Sequence, residues 1–386
     1  MTASYVALIR LKPARRLLYA LAAATFSFGM LSLTVLLTVE RATGSYRTGG
    51  FAVAAFALAA GTSAPFRGRL IDRGGARIWL PAMASGYAVS LLTLDVVAHT
   101  GGPPWALVLL AGIAGFSAPP LFASARALWR YVVDPEYLRR GYAMMSLVYD
   151  VGQIAGPVVA SLLFLVSTWA GAIVCSGFGV AGALLSLPAR EGARTPIEPH
   201  PMPRLREAPA LAGLLAVSVI FGASQGVVQV AVPVAAARWS HPALAGPMLA
   251  AFAAGSVLGA LWYGARRWQL PVLSRFLRAV LVFGVLLVPA AFADNAAELG
   301  AILFVAGLSF GPATVAIFEA LDVIAPGSGA EALTWVTSAE AAGSAGGSAA
   351  AGVLGTNSGV AAPFGFASAA VISAAALAIV LRRRLR

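Results

Sequence analysis

Twelve stretches of about 20 apolar residues follow one another along the chain, joined by connections too short to hold a folded domain. A segment of that length crosses the hydrocarbon layer as an α-helix, because a helix satisfies its own backbone hydrogen bonds. The stretches fall near residues 17–39, 49–66, 78–97, 105–125, 142–166, 169–187, 210–237, 244–264, 276–293, 299–318, 333–354 and 360–381. Composition agrees: 59% of the 386 residues are hydrophobic and 11% charged, where soluble domains carry about 45–50% and about 25%. Too little polar surface remains to clothe a water-soluble globule. A soluble enzyme, a disordered chain and a nucleic-acid partner are therefore excluded, despite a net charge of +12. The expected fold is an all-α membrane protein with twelve transmembrane helices in two pseudo-symmetric six-helix bundles. The bundles cover residues 1–187 and 210–386, and a polar, Pro-rich linker over 188–209 joins them.

The basic residues set the orientation, because cytoplasmic connections are enriched in Lys and Arg. With the amino terminus inside, 24 of the 27 fall in cytoplasmic segments, leaving Arg41, Arg47 and Arg238 outside. Both termini and the linker are expected to face the cytoplasm. Lys12 is the single lysine, and the chain is rich in Ala and Gly. This reads as the codon bias of a high-GC bacterium, and hence a multi-pass protein of the bacterial cytoplasmic membrane. Cys175 stands alone, and His99, His200 and His241 share no ligand spacing. No disulfide, metal site or cofactor is expected. The chain also lacks a Gly-x-x-x-x-Gly-Lys-[Ser/Thr] loop for ATP.

The halves echo each other. "AAFALAAGTSAPFRG" from Ala54 aligns with "AAFAAGSVLGALWYG" from Ala250, pairing Gly68 with Gly264. "AGIAGFSAPP" from Ala111 aligns with "AGLSFGPATV" from Ala306. In the fifth and eleventh spans, Asp150 pairs with Glu340 and Gly156 with Gly346. Internal repeats of this kind are common in secondary transporters.

Between spans two and three, "GRLIDRGGAR" presents Gly68, Asp72, Arg73, Gly75 and Arg77. On these residues the chain resembles the major facilitator superfamily over nearly its full length, through motif A, Gly-x-x-x-Asp-Arg-x-Gly-x-Arg. The resemblance implies alternating access and a latch in which Asp72 and Arg77 join a charge network that closes one state. It also implies that Gly68 lets helices approach closely. The second-half counterpart "YGARRW" lacks the Asp-Arg pair, so the latch is expected on one side only. "GQIAGPVVAS" from Gly152 partly resembles motif C of drug–proton antiporters. Gly152, Gly156 and Pro157 match, and Ala160 and Ser161 replace the last glycines. Small-residue helix packing explains the same pattern equally well. Val108 stands where motif B of proton-coupled members carries Arg.

Ionisable groups at mid-membrane are costly and are functional candidates by default. Asp150 and Glu340 are the candidates for proton coupling, since an apolar surround favours the neutral acid until water or a cation arrives. Asp95, Glu40, Glu319 and Glu331 lie nearer the faces and are read as solvated. By the resemblance, spans one, four, seven and ten line a cavity. Its candidate residues are Phe28, Phe116, Gln225, Gln229 and Phe310. The chain holds two Asn and four Gln, too few amides for a sugar site. No Lys or Arg falls mid-span in those helices to meet a phosphate or dicarboxylate. The expected function is proton-coupled efflux of small lipophilic neutral or cationic compounds by a monomer in the lipid bilayer. The alternatives are an importer or facilitator of a small metabolite, or a non-transporting protein reusing the fold.

Overall fold

The computed structural model describes residues 11–121, 125, 138–187, 209–266, 268–324, 329–358 and 360–384. Among these run twelve α-helices. The first six are α1 (Lys12–Thr43), α2 (Tyr46–Gly74), α3 (Ala76–His99), α4 (Pro104–Ser117), α5 (Leu138–Val166) and α6 (Ala170–Ser186). The second six are α7 (Pro209–Arg238), α8 (Ala245–Ala265), α9 (Val272–Leu287), α10 (Ala296–Ile324), α11 (Gly329–Ser358) and α12 (Ala361–Arg384). Eight are long and apolar enough to cross a membrane, and α4, α6 and Ala361–Ala376 of α12 are shorter apolar helices. The linker expected over 188–209 lies outside the described residues, apart from Pro209, which begins α7.

Local chemistry sets the helix ends. Gly44 ends α1 at φ 64, and the Ser45 hydroxyl accepts from the Thr48 N–H at 3.3 Å to start α2. Within the fourth span, expected to run to 125, α4 ends at Ser117 and the chain breaks before Leu121 and Ala125, which are again helical, because Pro119 and Pro120 supply no N–H and disfavour helix before them. The ninth ends at Leu287 and tightens into a 3₁₀ turn, Val288–Phe292, at Pro289.

Two bundles follow from the packing. In the first, α1 packs on α5 and α6, α2 on α4, and α3 on α4 and α6. In the second, α7 packs on α11 and α12, α8 on α10, and α9 on α10 and α12. Each pairing has its counterpart six helices on, so the halves share one architecture. The main contacts between halves are α2 against α11 and α5 against α8.

Small residues make these seams. A Cβ on Gly222 or Gly226 of α7 would strike the backbone of Glu340 or Ser344 on α11. Gly343 and Gly347 of α11 meet Val219 and Ala223 in return. Gly29, Gly152 and Gly156 do the same between α1 and α5. Lipid tails are as apolar as side chains, so close van der Waals packing of this kind holds membrane helices together. The glycines also correct the repeat register. Gly152 and Gly156 meet Thr25 and Gly29 as Gly343 and Gly347 meet Val219 and Ala223. Gly156 therefore matches Gly347, not Gly346, and Glu340 falls opposite Tyr149, one residue from Asp150.

A polar knot ties α1, α3 and α6 together. The Ser27 hydroxyl donates to the Cys175 carbonyl at 2.8 Å and lies 2.9 Å from the Tyr87 hydroxyl. The second bundle instead stacks rings: Phe221 and Phe310 lie 4.5 Å apart between centroids, with Phe252 and Phe283 against them.

Candidate functional site

Two sets of residues bear on function: the loop between α2 and α3, and the seams where the halves meet. The loop is a single residue deep. Gly75 closes α2 by donating its N–H to the Ile71 carbonyl at 3.1 Å, and it opens α3. Its φ of +85 lies in the region that side-chain-bearing residues avoid, so glycine is required there. Arg73 is exposed in the last turn of α2. Arg77 lies in the first turn of α3 and has an interaction partner. Asp72 lies in α2, its side chain outside the described residues. At Gly68 no described residue lies within 4 Å of the position a Cβ would take. Gly264 is equally open.

The second half has a charge pair of its own, built from helices instead of the loop. Arg275 Nη1 on α9 lies 2.9 Å from Glu319 Oε2 on α10. The Tyr263 hydroxyl donates to the same carboxylate at 3.1 Å, and Trp268 Nε1 donates to the Tyr263 carbonyl at 2.9 Å. This pair joins two helices of the same half, whereas the latch expected through Asp72 and Arg77 joins the halves. Glu319, read as solvated, is 43% exposed and paired.

Motif C's remnant sits at a three-helix junction. Gly152 and Gly156 receive α1, while the Pro157 carbonyl and the Ser161 hydroxyl face Gly246 of α8. The Gly246 N–H donates to Ser161 Oγ at 2.9 Å. This is a hydrogen bond between the halves, made by a residue that replaces a motif glycine. Across the other seam, Ser338 Oγ on α11 donates to the Gly61 carbonyl on α2 at 3.3 Å.

The two candidate carboxyls stand at nearly equivalent places in the two halves. Asp150 on α5 and Glu340 on α11 are both partly buried. Gln153, one turn beyond Tyr149, has its Oε1 buried without a hydrogen-bond partner among the described residues. Gln225 and Gln229 are partly buried on α7, a turn apart. They flank Gly222 and Gly226, which place that face of α7 against Glu340 and Ser344. The aromatic candidates divide. Phe28 on α1 is 55% exposed. Phe116 on α4 is 51% exposed, its ring 6.1 Å from that of Phe66 on α2. Phe310 is only 9% exposed and belongs to the ring stack inside the second bundle, so it is a packing residue in this conformation.

Three residues stand out that sequence reading assigned otherwise or passed over. Asp95, expected to be solvated, is fully buried in α3, and neither carboxyl oxygen has a hydrogen-bond partner among the described residues. His99, one turn on, has its Nδ1 2.7 Å from the Asp95 backbone carbonyl and its Nε2 2.6 Å from Thr168 Oγ1. Its ring stacks on Trp169 at 4.1 Å. Arg67, expected at the cytoplasmic face, is buried, and its guanidinium turns back along α2 to the Ala60 carbonyl. Its place directly before Gly68 was the available sign.

Two six-helix bundles of one architecture meet along α2–α11 and α5–α8, each carrying a partly buried carboxyl at a nearly equivalent position. The chain belongs to the Major Facilitator Superfamily, whose family model matches residues 17–345, and it is a transporter of that family. Solved structures share the fold at low identity. The nucleoside transporter NupG superposes with a TM-score of 0.72 at 14% identity, covering 95% of this chain and 99% of that one. A peptide transporter, POT, solved with sulfate, gives 0.71 at 13%, covering 96% and 94%. The human organic anion transporter MFSD10 gives 0.64 at 16%, covering 94% and 99%. No curated protein is a significant sequence match.

Proposed function

We propose that the protein is a secondary transporter that exports small lipophilic neutral or cationic compounds by alternating access, in exchange for protons. The observation that carries this reading is a partly buried carboxyl in each half at repeat positions one residue apart, Asp150 on α5 and Glu340 on α11. A carboxyl at a seam between moving halves meets water in one state and protein in the other, so it can take up a proton on one side and release it on the other. The small number of amides and the exposed Phe28 and Phe116 suit an apolar or cationic substrate. We place both termini in the cytoplasm of a bacterial cell, from the distribution of basic residues. The seam contacts at the first turns of α2 and α8 then close the outer side.

Everted vesicles test the coupling. Asp150→Asn is expected to abolish proton-driven accumulation of a lipophilic cation while downhill exchange continues, and Glu340→Gln to do so less completely. Unchanged accumulation in both variants refutes coupling through these groups. A second reading, a facilitator or importer, draws on Val108 at the motif B arginine position. It predicts transport that is indifferent to the proton gradient in the unmodified protein.

A further inference from the structure

Three consecutive residues at the start of α2 point in three directions, as the 100° step of a helix requires. Gly49 faces Leu36 of α1, and Gly50 faces Ser348 and Gly352 of α11. Phe51 faces neither. It enters a groove of about 580 Å³ between α2, α4 and α11, within the range of about 300–1,000 Å³ typical of ligand sites. Leu58 continues the α2 wall two turns on, Trp105 forms the α4 wall, and Gly346 and Ala349 form the α11 floor. Every lining residue is apolar. The groove lies on the far side of α2 from α1, so it opens away from the centre of the bundle and toward lipid.

Its mouth is not apolar. Arg47, exposed and one turn before Phe51, holds its guanidinium carbon 5.9 Å from the centre of the Phe51 ring. Trp105, 68% exposed in the first turn of α4, stands at the same end. Tryptophan and arginine at a helix end mark headgroup depth. A slot with dry walls and a cation at its headgroup end matches a molecule that has a long apolar chain and an anionic head. A water-soluble anion would leave the slot unfilled, and a neutral hydrocarbon would leave the guanidinium unused.

We propose that this groove binds one membrane phospholipid, with an acyl chain along Phe51, Leu58 and Gly346 and the phosphate at Arg47. Because α2 belongs to one half and α11 to the other, the bound chain bridges both. Gly346 gives the means of testing it. No described residue lies within 4 Å of its missing Cβ, so a side chain there enters the groove without striking a described helix. Gly365 on α12 is equally open and serves as the matched control.

The full chain, purified in detergent, is titrated with phosphatidylglycerol or with diacylglycerol, which lacks phosphate, and bound lipid is counted by native mass spectrometry. One phospholipid is expected to bind ahead of all others. Gly346→Leu is expected to weaken that binding by about tenfold or more, about 1.4 kcal/mol or more, and Gly365→Leu to leave it unchanged. Arg47→Gln is expected to weaken phosphatidylglycerol alone, leaving diacylglycerol as in the unmodified protein. Wild-type phospholipid binding by Gly346→Leu, equal loss in Gly365→Leu, or a groove that holds detergent against added phospholipid overturns the proposal. Arg47 is exposed, so the Arg47→Gln comparison decides the matter even if Gly346→Leu does not fold. Equal loss of both lipids, or loss of neither, in that variant overturns the phosphate contact.

Discussion

The Gly246 N–H donates to Ser161 Oγ at 2.9 Å, joining the first turn of α8 to α5 across the divide between the halves. A first-turn amide has no partner in its own helix, so the other half of the molecule supplies one. Ser161→Ala is expected to cost the closed seam about 0.5–1.5 kcal/mol. Spin labels on the facing ends of α5 and α8 should show a larger open population by electron–electron distance measurement. An unchanged distance distribution would assign the serine no part in closure.

The glycines separate into those against a neighbour and those in open space, and stability should follow that division. Gly222→Ala and Gly343→Ala drive a methyl into the backbone of the facing helix, an overpacking cost of about 1–3 kcal/mol. Thermal unfolding of the purified protein should fall clearly for both. Gly68→Ala meets no described residue within 4 Å and should leave the melting temperature unchanged or raised. If Gly68 receives a helix only in the opposite conformation, the same variant is expected to impair transport while remaining stable. Full transport would remove it from the gate.

Gly75 is a different case, because the restriction lies in its own backbone. At φ +85 an alanine costs about 1–2 kcal/mol. Gly75→Ala should lower thermal stability by that amount, and Gly75→Asn should do no better, because ψ 136 lies outside the left-handed helical region that asparagine tolerates. Equal melting temperatures for glycine and alanine would show that the α2–α3 turn relaxes freely.

Asp95 makes no hydrogen bond through its carboxyl among the described residues, although it is fully buried. His99 Nδ1 lies 3.7 Å from Asp95 Oδ1, an ion-pair distance but too long for a hydrogen bond, so removing the carboxyl gives up a weak pair and relieves a desolvation cost of about 1–3 kcal/mol. Asp95→Leu is therefore expected to keep or increase stability in a thermal assay. A sharp loss of stability would show that the pair with His99 outweighs that relief. Unimpaired stability with lost transport would mark the carboxyl as functional.

Much of this architecture was legible in the sequence, because bilayer thickness imposes one length on every span and the period of the spans reveals the two halves. Where the reading missed, the missing information was three-dimensional. The α5–α11 register slipped by one residue because alanine and glycine align nearly as well in either frame. Only the packing of Gly152 and Gly343 against their partners resolves it. Arg275 and Glu319 are far apart in sequence, so their pair is visible only once α9 and α10 are side by side. Asp95 is fully buried beside His99 of the same helix, and nothing in its neighbours' identities distinguishes that side from one facing water. Phe310 has the same composition signal as Phe28, yet one joins a ring stack and the other stays exposed.

The small-residue face of α11 has a consequence for how the protein is made. This helix is not among those long and apolar enough to cross a membrane by their own hydropathy, and it carries Glu340 midway. The insertion machinery admits segments largely by their hydrophobicity, and a carboxylate at mid-helix weighs against entry. Its partners α2 and α7 are synthesised earlier, and their glycine faces are waiting in the bilayer when α11 emerges. Entry of α11 is then an act of assembly as much as of partitioning. A substitution that spoils the α7 groove would leave an otherwise complete chain stranded at the translocation channel during its own synthesis.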